Sequence, residues 1–344
     1  MTGSGTLSAV PVRLSESKYV SRDESGAYRL AEAVGPILDI HTHLALTYVP
    51  TGQVDLEAPA VAELYLDPET PLELEEYMNR HFDDASMKAM RSDLGLGSLT
   101  KGGMRATHTA PALKQSMSDL GITRSVILAI DLPHSSVNTD GYVTVAGNDD
   151  ALIPAAAIHP MAPSAEQSLR TAVERGARAY KMHPAVQQMR PDHPKAMRMY
   201  ELCGELGIPV VWHCGPVGIV GDRADKRCFL KNYWAPVHTF PNTKFVLGHS
   251  GALQYEMAVK LPNMYENVYC ELSCQGLRGM RHVIENVPAE RIINGSDWPF
   301  YHQAVSLLKI CLSTEGQEDL RHKILWTNAA ELFGLDPDYQ TPEA

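Results

Sequence analysis

The stretch Ile37-Leu38-Asp39-Ile40-His41-Thr42-His43 decides how this chain is read. An apolar run closed by an aspartate has the pattern of a buried strand. Two imidazoles follow, one residue apart. Side chains two apart on a strand point the same way, so His41 and His43 can close on one metal ion. Imidazole suits zinc and its first-row neighbours. Two unrelated histidines at a strand end would look the same in isolation, so the weight falls on what recurs downstream.

Four later segments repeat the format of an apolar run ending in a chemically able residue: Ala179-Tyr180-Lys181-Met182-His183-Pro184, Pro209-Val210-Val211-Trp212-His213-Cys214-Gly215, Lys244-Phe245-Val246-Leu247-Gly248-His249-Ser250-Gly251 and Ile292-Ile293-Asn294-Gly295-Ser296-Asp297-Trp298-Pro299. Each is followed by turn residues and a stretch that can be helical. Reactive residues at the C-terminal ends of several parallel strands are the signature of a (β/α)8 TIM barrel, an α/β fold.

The bulk numbers allow it. The chain has 344 residues, long for one barrel but in range with insertions. At 44% hydrophobic it can bury a sizeable core. A formal charge of −11 without a basic stripe argues against a nucleic-acid partner. No apolar run is long enough to span a bilayer. Residues 1–17 are mostly small and polar, without the apolar core of a secretion signal. The six cysteines, Cys203, Cys214, Cys228, Cys270, Cys274 and Cys311, form no Cys-x-x-Cys pair. They fit a reduced, cytoplasmic setting.

Along the chain, residues 1–36 read as an N-terminal arm. Barrel strands are expected at 37–41, 125–130, 153–158, 177–182, 209–212, 244–247, 268–272 and 291–294. Helices are expected over 109–120 before Gly121, 164–175 before Gly176, 194–206 before Gly207, and 320–332 before Gly334. The whole chain, 1–344, reads as one TIM-barrel domain, with an insertion after the first strand over about 44–107. A short helix is expected near 72–82 within it. A loop this long at a barrel mouth reads as a lid or cap over the site; the alternatives are packing beside the barrel or an oligomer contact.

The candidate site is built from strand ends. A hydrolytic zinc site needs three or four protein ligands and an open position for water. His41, His43, His213 and Asp297 supply three imidazoles and a carboxylate from strands one, five and eight. A metal there would acidify its water and polarise a substrate oxygen; Asp297 can bind it, take the water's proton, or both. His249 is placed as general acid or base, the plainer reading being a core histidine bonded to backbone. Lys181 and His183 share a face of strand four. A lysine at that depth is costly unless paired or modified. Three readings stay open: a clamp for a substrate anion, a carbamylated lysine bridging two metals, or an ammonium paired with Asp297 or Asp39. One metal with a direct lysine or histidine contact to substrate is preferred. His159, Asp131, His134, Trp298 and Phe300 are weaker pocket candidates. Cys214, adjacent to His213 on a strand, should point away and is read as structural. His193, His238, His282 and His322 are read as surface or capping residues.

With these residues assembled, the chain resembles the amidohydrolase superfamily, and more narrowly the amidohydrolase-related (amidohydrolase 2) family of metal-dependent TIM-barrel hydrolases and decarboxylases. The resemblance covers about 37–335. It rests on Asp39-Ile40-His41-Thr42-His43, Lys181-Met182-His183-Pro184 with Gln187, His213-Cys214-Gly215, Gly248-His249-Ser250-Gly251, Gly295-Ser296-Asp297-Trp298-Pro299 and Asn328-Ala329-Ala330-Glu331-Leu332-Phe333-Gly334-Leu335. It implies a divalent metal on the residues matching His41, His43, His213 and Asp297, and a catalytic histidine matching His249. The stretch 45–106 has no counterpart in it. The resulting expectation is an ester, lactone or amide hydrolase for a small carboxylate-bearing or cyclic substrate. The alternative is a non-oxidative decarboxylase or hydro-lyase of an aromatic or unsaturated acid. The expected metal is one Zn2+, with Mn2+ or Fe2+ and a binuclear site as alternatives. A homodimer is expected, and a metal-binding scaffold without catalysis is the reading from another class.

Overall fold

The computed structural model describes residues 10–135, 137–147, 149–219 and 221–341. A small antiparallel hairpin, β1 (Val20–Arg22) and β2 (Tyr28–Leu30), precedes eight parallel strands: β3 (Leu38–Thr42), β4 (Arg124–Leu128), β5 (Leu152–Ala156), β6 (Ala179–Met182), β7 (Val210–His213), β8 (Phe245–Gly248), β9 (Val268–Glu271) and β10 (Ile292–Ile293). They lie side by side in chain order. The ends meet where the Ile40 N–H donates to the Asn294 carbonyl at 3.2 Å and the Asp297 N–H to the His41 carbonyl at 2.8 Å. Thus the TIM barrel forms, with each strand where the apolar runs place it to within a few residues.

The strand periodicity sorts the core. Leu38, Ile40, Val126, Leu128, Ala179, Val211, Val246 and Ile293 form one buried cluster with Trp326, Ala329, Ala330 and Phe333 of the C-terminal helical segment. Two residues beyond Ala179, Val211 and Tyr269 on the same faces stand Lys181, His213 and Glu271. The alternation that fills one end of the barrel with apolar side chains therefore delivers polar ones at the other. The opposite faces pack under the surrounding helices, as Trp212 does against Tyr200 and Phe245.

Two helix expectations change. Residues 72–82 do not form a helix beyond a 3-10 turn, Met78–His81. Their backbone is spent elsewhere: the Leu74 carbonyl accepts from Leu277 N–H at 2.8 Å, and Met78 N–H donates to the Cys274 carbonyl at 2.9 Å. The helix of this region is Asp84–Leu94, where the Asp83 carboxylate caps the Ser86 N–H. The closing helix is Glu318–His322 and Asn328–Phe333 joined through a π-helical turn, Lys323–Thr327, and it ends at left-handed Gly334 as expected. Ala110–Leu120, Ala165–Glu174 and Pro194–Leu206 stand where predicted; the first and third stop at Gly121 and Gly207 in the left-handed conformation.

Candidate metal centre and pocket

A register shift in the pairing of β3 with β4 falls between Asp39 and Thr42. Such bulges re-aim side chains; here His41 and His43 both face one pocket at the C-terminal end of the barrel. Buried Asp39 holds the junction from behind. It accepts from Ser296 N–H at 3.0 Å, Ser296 O–H at 2.6 Å and Gln303 Nε2 at 2.7 Å. It is therefore committed to the β10 loop, and Lys181 pairs elsewhere.

The pocket brings together His41, His43, Lys181, His183, His213, His249 and Asp297. The Asp297 Oδ1 lies 3.6 Å from His41 Nε2 and 3.3 Å from His43 Nε2. His249 joins them: its ring nitrogen, His41's and the Asp297 oxygen lie within 4.8 Å of one another. Lys181 Nζ is 3.0 Å from His41 Nε2. Burial lowers its pKa to about 8, against the raising pull of Asp297 and Glu271. The His183 ring stacks on His213, 4.0 Å between centroids and 7° from parallel.

Glu271, at the end of β9, is the residue that sequence reasoning missed. It is fully buried, and its Oε2 sits 2.8 Å from His41 Nδ1, 2.9 Å from the His249 N–H and 2.8 Å from the Ser273 hydroxyl. The Ser273 N–H also reaches its Oε1. Burial pushes Glu271 up to about 7 while these donors favour its ionised form. A carboxylate ending an apolar strand, Val268-Tyr269-Cys270-Glu271, was the available signal.

These contacts assign the imidazole tautomers. His41 gives its Nδ1–H to Glu271, which leaves a lone pair on Nε2, and that lone pair accepts from Lys181 Nζ at 3.0 Å. His43 gives its Nδ1–H to the Leu128 carbonyl at 2.7 Å, which leaves its Nε2 lone pair facing Asp297. Because Ser273 donates to Glu271, it accepts from His249 Nδ1–H at 2.7 Å. His249 Nε2 then accepts from His213 Nδ1–H at 3.0 Å. The last nitrogen of the series, His213 Nε2, is buried with no hydrogen-bond partner. Burial lowers the pKa of His41, His183 and His249 well below the usual value and that of His213 to about 3, so these rings are neutral. Imidazoles whose Nε2 lone pairs converge beside a carboxylate, that of His213 without any partner, are the donor set of a divalent-metal site, and the residues present fit such an ion.

Backbone conformation places three of these groups. His249, Cys274 and Asp297, which follow β8, β9 and β10, all lie in the left-handed region, at φ 58°, 62° and 66°. Non-glycine residues rarely adopt it, and such strain concentrates at functional sites. The Cys274 thiol donates to Asp297 Oδ2 at 3.2 Å, which orients the carboxylate and leaves Oδ1 facing the His41 and His43 Nε2 atoms. Gly295 is required by proximity: a Cβ there would lie 2.2 Å from Glu271 Oε1.

The weaker candidates mostly fall outside the pocket. His159 accepts from the Met161 N–H at 3.0 Å and donates to the Gln187 carbonyl at 2.9 Å, which spends both ring nitrogens on backbone. Trp298 is buried beside His108, and its carbonyl accepts from His43 N–H at 2.7 Å; its neighbour Phe300 lines the pocket instead. Asp131 accepts from the Asn138 and Thr139 N–H groups at the start of the following helix, and His134 is exposed. Cys214 is buried and absent from the pocket lining. From the insertion, Leu46, Tyr48, Tyr77 and Leu94 form part of the pocket wall.

The amidohydrolase 2 family model, described as Amidohydrolase, matches residues 38–335, and the chain belongs to that family. Its members are metal-dependent hydrolases or decarboxylases, and this chain is an enzyme of that kind. Among solved structures, 5-carboxyvanillate decarboxylase from Sphingomonas paucimobilis is similar at 13% identity and TM-score 0.60, covering 88% of this chain and 99% of that one. An uncharacterised TIM-barrel protein from Bordetella bronchiseptica is similar at 17% and 0.59, covering 87% and 98%. A probable 2-pyrone-4,6-dicarboxylic acid hydrolase from Acinetobacter baumannii is similar at 12% and 0.55, covering 87% and 99%. At these identities the likeness is one of fold. A search of curated proteins returned no match. No helix among the described residues is long and apolar enough to cross a membrane.

Proposed function

We propose that this chain is a metal-dependent hydrolase that cleaves an ester, lactone or amide bond of a small carboxylate-bearing or cyclic molecule. His41, His43, His213 and Asp297 would hold one divalent ion, with zinc preferred for this nitrogen-rich set. The observation that carries the reading is the convergence of the His41 and His43 Nε2 atoms on Asp297 Oδ1, together with the unpartnered His213 Nε2. An ion held there acidifies a water and polarises the substrate oxygen.

The chain's own groups supply the rest. Asp297, oriented by the Cys274 thiol, takes a proton from the attacking water at a carboxylate oxygen. Neutral His249, fixed through Ser273, has a lone pair on Nε2; once that atom turns from His213 to the site, it takes up the proton that Asp297 removes from the water and delivers it to the leaving oxygen or nitrogen. Lys181 meets a substrate anion in a site otherwise short of positive charge. The insertion covers the mouth and keeps bulk water out.

One observation favours the alternative, a non-oxidative decarboxylase or hydro-lyase: much of the pocket wall is aliphatic or aromatic. A carboxylate taken into such surroundings loses its desolvation cost on leaving as carbon dioxide. Asp297 or His249, having taken up a proton from solvent, would then deliver it to the carbon left behind. Metal analysis followed by a panel of esters, lactones, amides and hydroxybenzoates, read for acid and for gas release, separates the two. About one divalent ion per chain with acid release supports the hydrolase, and gas release replaces it with the decarboxylase. Metal-free protein with full activity in strong chelator would sink both, and metal without turnover would return the chain to a scaffold.

A further inference from the structure

Three tyrosines in the pocket wall, Tyr48, Tyr77 and Tyr301, have hydroxyls that make no hydrogen bond to any described residue. This sets them apart from the buried tyrosines of the barrel wall. Tyr142, Tyr180 and Tyr233 each donate to a carbonyl, those of Leu44, Ile158 and His213, at 2.6 to 2.9 Å. Tyr77 and Tyr301 are only 7% and 3% exposed, and a tyrosine buried to that degree ordinarily finds a partner for its hydroxyl. Two of the three come from different parts of the insertion and its approach, and Tyr301 from the loop after β10. All border the cavity that holds Asp297 and Lys181.

The charges in that wall are few. Apart from the histidines, Lys181 and Asp297 are the charged groups of opposite sign, and no arginine lines the cavity among the described residues. Aliphatic side chains such as Leu46, Leu94, Ile130 and Ile219 fill the space between the tyrosines. A first substrate carboxylate has Lys181 and the metal centre to meet it. A second one would be buried against hydroxyls and aliphatic carbon, without a cation, at a cost of several kcal/mol. A neutral hydroxyl, ether or ring oxygen at the same position would meet a tyrosine.

We infer that Tyr48, Tyr77 and Tyr301 determine specificity: their hydroxyls read neutral oxygen substituents on a flat cyclic monoanion, and the wall they belong to rejects a second carboxylate. This rests on the reading of the site as a metal-dependent hydrolase or decarboxylase centre, but concerns binding, so it is tested without turnover.

The test is calorimetric titration of the zinc-loaded protein with benzoate, 3,5-dihydroxybenzoate and isophthalate. The last carries a carboxylate where the second carries a hydroxyl. Each new hydrogen bond to a neutral group is worth about three- to tenfold in affinity. The dihydroxy acid should therefore bind about tenfold or more tighter than benzoate, and isophthalate at least about tenfold more weakly. In the Tyr48→Phe, Tyr77→Phe, Tyr301→Phe triple variant the dihydroxy advantage should fall below about threefold. The variant should still take up one equivalent of zinc, which shows that the metal centre and the fold around it are intact. The inference is overturned if the triple variant keeps the advantage, if isophthalate matches benzoate, or if none of the three acids binds the wild-type protein. Should the binding order hold while no ester, lactone, amide or acid is turned over, the proposed function fails and the inference stands.

Discussion

Glu271 Oε2 lies 2.8 Å from His41 Nδ1, with both groups buried, and the same oxygen accepts the His249 N–H at 2.9 Å. One carboxylate thus fixes the tautomer of the first histidine in the metal motif and the backbone of the candidate acid–base residue. Outer partners of this kind typically carry ten- to a hundredfold of metal affinity. In Glu271→Gln the NH2 group replaces either Oε2, where it faces the His41 Nδ1–H and the His249 N–H, or Oε1, where it faces the Ser273 N–H. We expect about a ten- to hundredfold loss in zinc affinity, measured by competition with a chelator, in a protein that still folds. Gly295→Ala should act on the same bond from the other side, because its Cβ would meet Glu271 Oε1 at 2.2 Å and His41 Cβ at 2.8 Å.

His249 and His213 sit in one hydrogen-bonded pair, 3.0 Å apart, yet are assigned different roles. His213→Ala should empty the metal site. His249→Ala should keep the metal and the fold while turnover falls at least about a hundredfold, the usual scale for a general acid or base. Metal content by elemental analysis separates them. Loss of metal in His249→Ala would make His249 a ligand with His41 and Asp297.

The barrel and most of the polar cluster were legible in the sequence because both follow from alternation. An apolar run with a reactive residue at its C-terminal end identifies strand, direction and site together, as at Lys181 and His213. Glu271 was missed although it ends an apolar strand in the same format: Leu272 continues the apolar run past it, which hides the strand end. Cys274 depended on a left-handed turn, and a lone cysteine does not announce one. His159 and Trp298 ended strands in the right format, but His159 spends both ring nitrogens on backbone and Trp298 is buried beside His108, outside the pocket lining. The insertion was legible only as an interruption. Its residues 72–82 look helical, and only the barrel loops that take up their backbone groups decide otherwise.

Within the insertion, one buried guanidinium organises the chain. Arg105 donates from Nη1 to Thr47 Oγ1 at 3.1 Å, from Nη2 to the Gly52 carbonyl at 2.8 Å and from Nε to the Gly97 carbonyl at 3.1 Å. It ties the segment carrying Leu46 and Tyr48 to the one after Leu94, and all three line the pocket. Arg105→Ala leaves those acceptors buried and unpaired, a loss on the order of a few kcal/mol. We expect a lower unfolding midpoint and a KM raised about tenfold or more, with zinc content unchanged. An unchanged KM would show that the insertion does not shape the substrate site.

Lys309 provides a test in stability alone. It is buried in the helix Gln303–Ser313, with Nζ 2.9 Å from the Gln275 carbonyl and 3.0 Å from Met78 Sδ. Burial lowers its pKa to about 7 from the usual 10.5. Because the folded pKa is depressed, the unfolded chain binds more protons between those two values, and stability rises with pH across that window. The cost of holding a charged lysine there is fully present below about pH 7, shrinks from pH 7 towards 10.5, and is absent above. Lys309→Met removes that cost but also the hydrogen bond to Gln275, worth about 1 kcal/mol. The variant should therefore be more stable than wild type by roughly 1–3 kcal/mol at about pH 6. Near pH 10 it should be equal or slightly less stable. Urea unfolding midpoints of both proteins across this range check the prediction; a variant destabilised at pH 6 would show that Lys309 is held in its charged form by partners stronger than a carbonyl and a thioether.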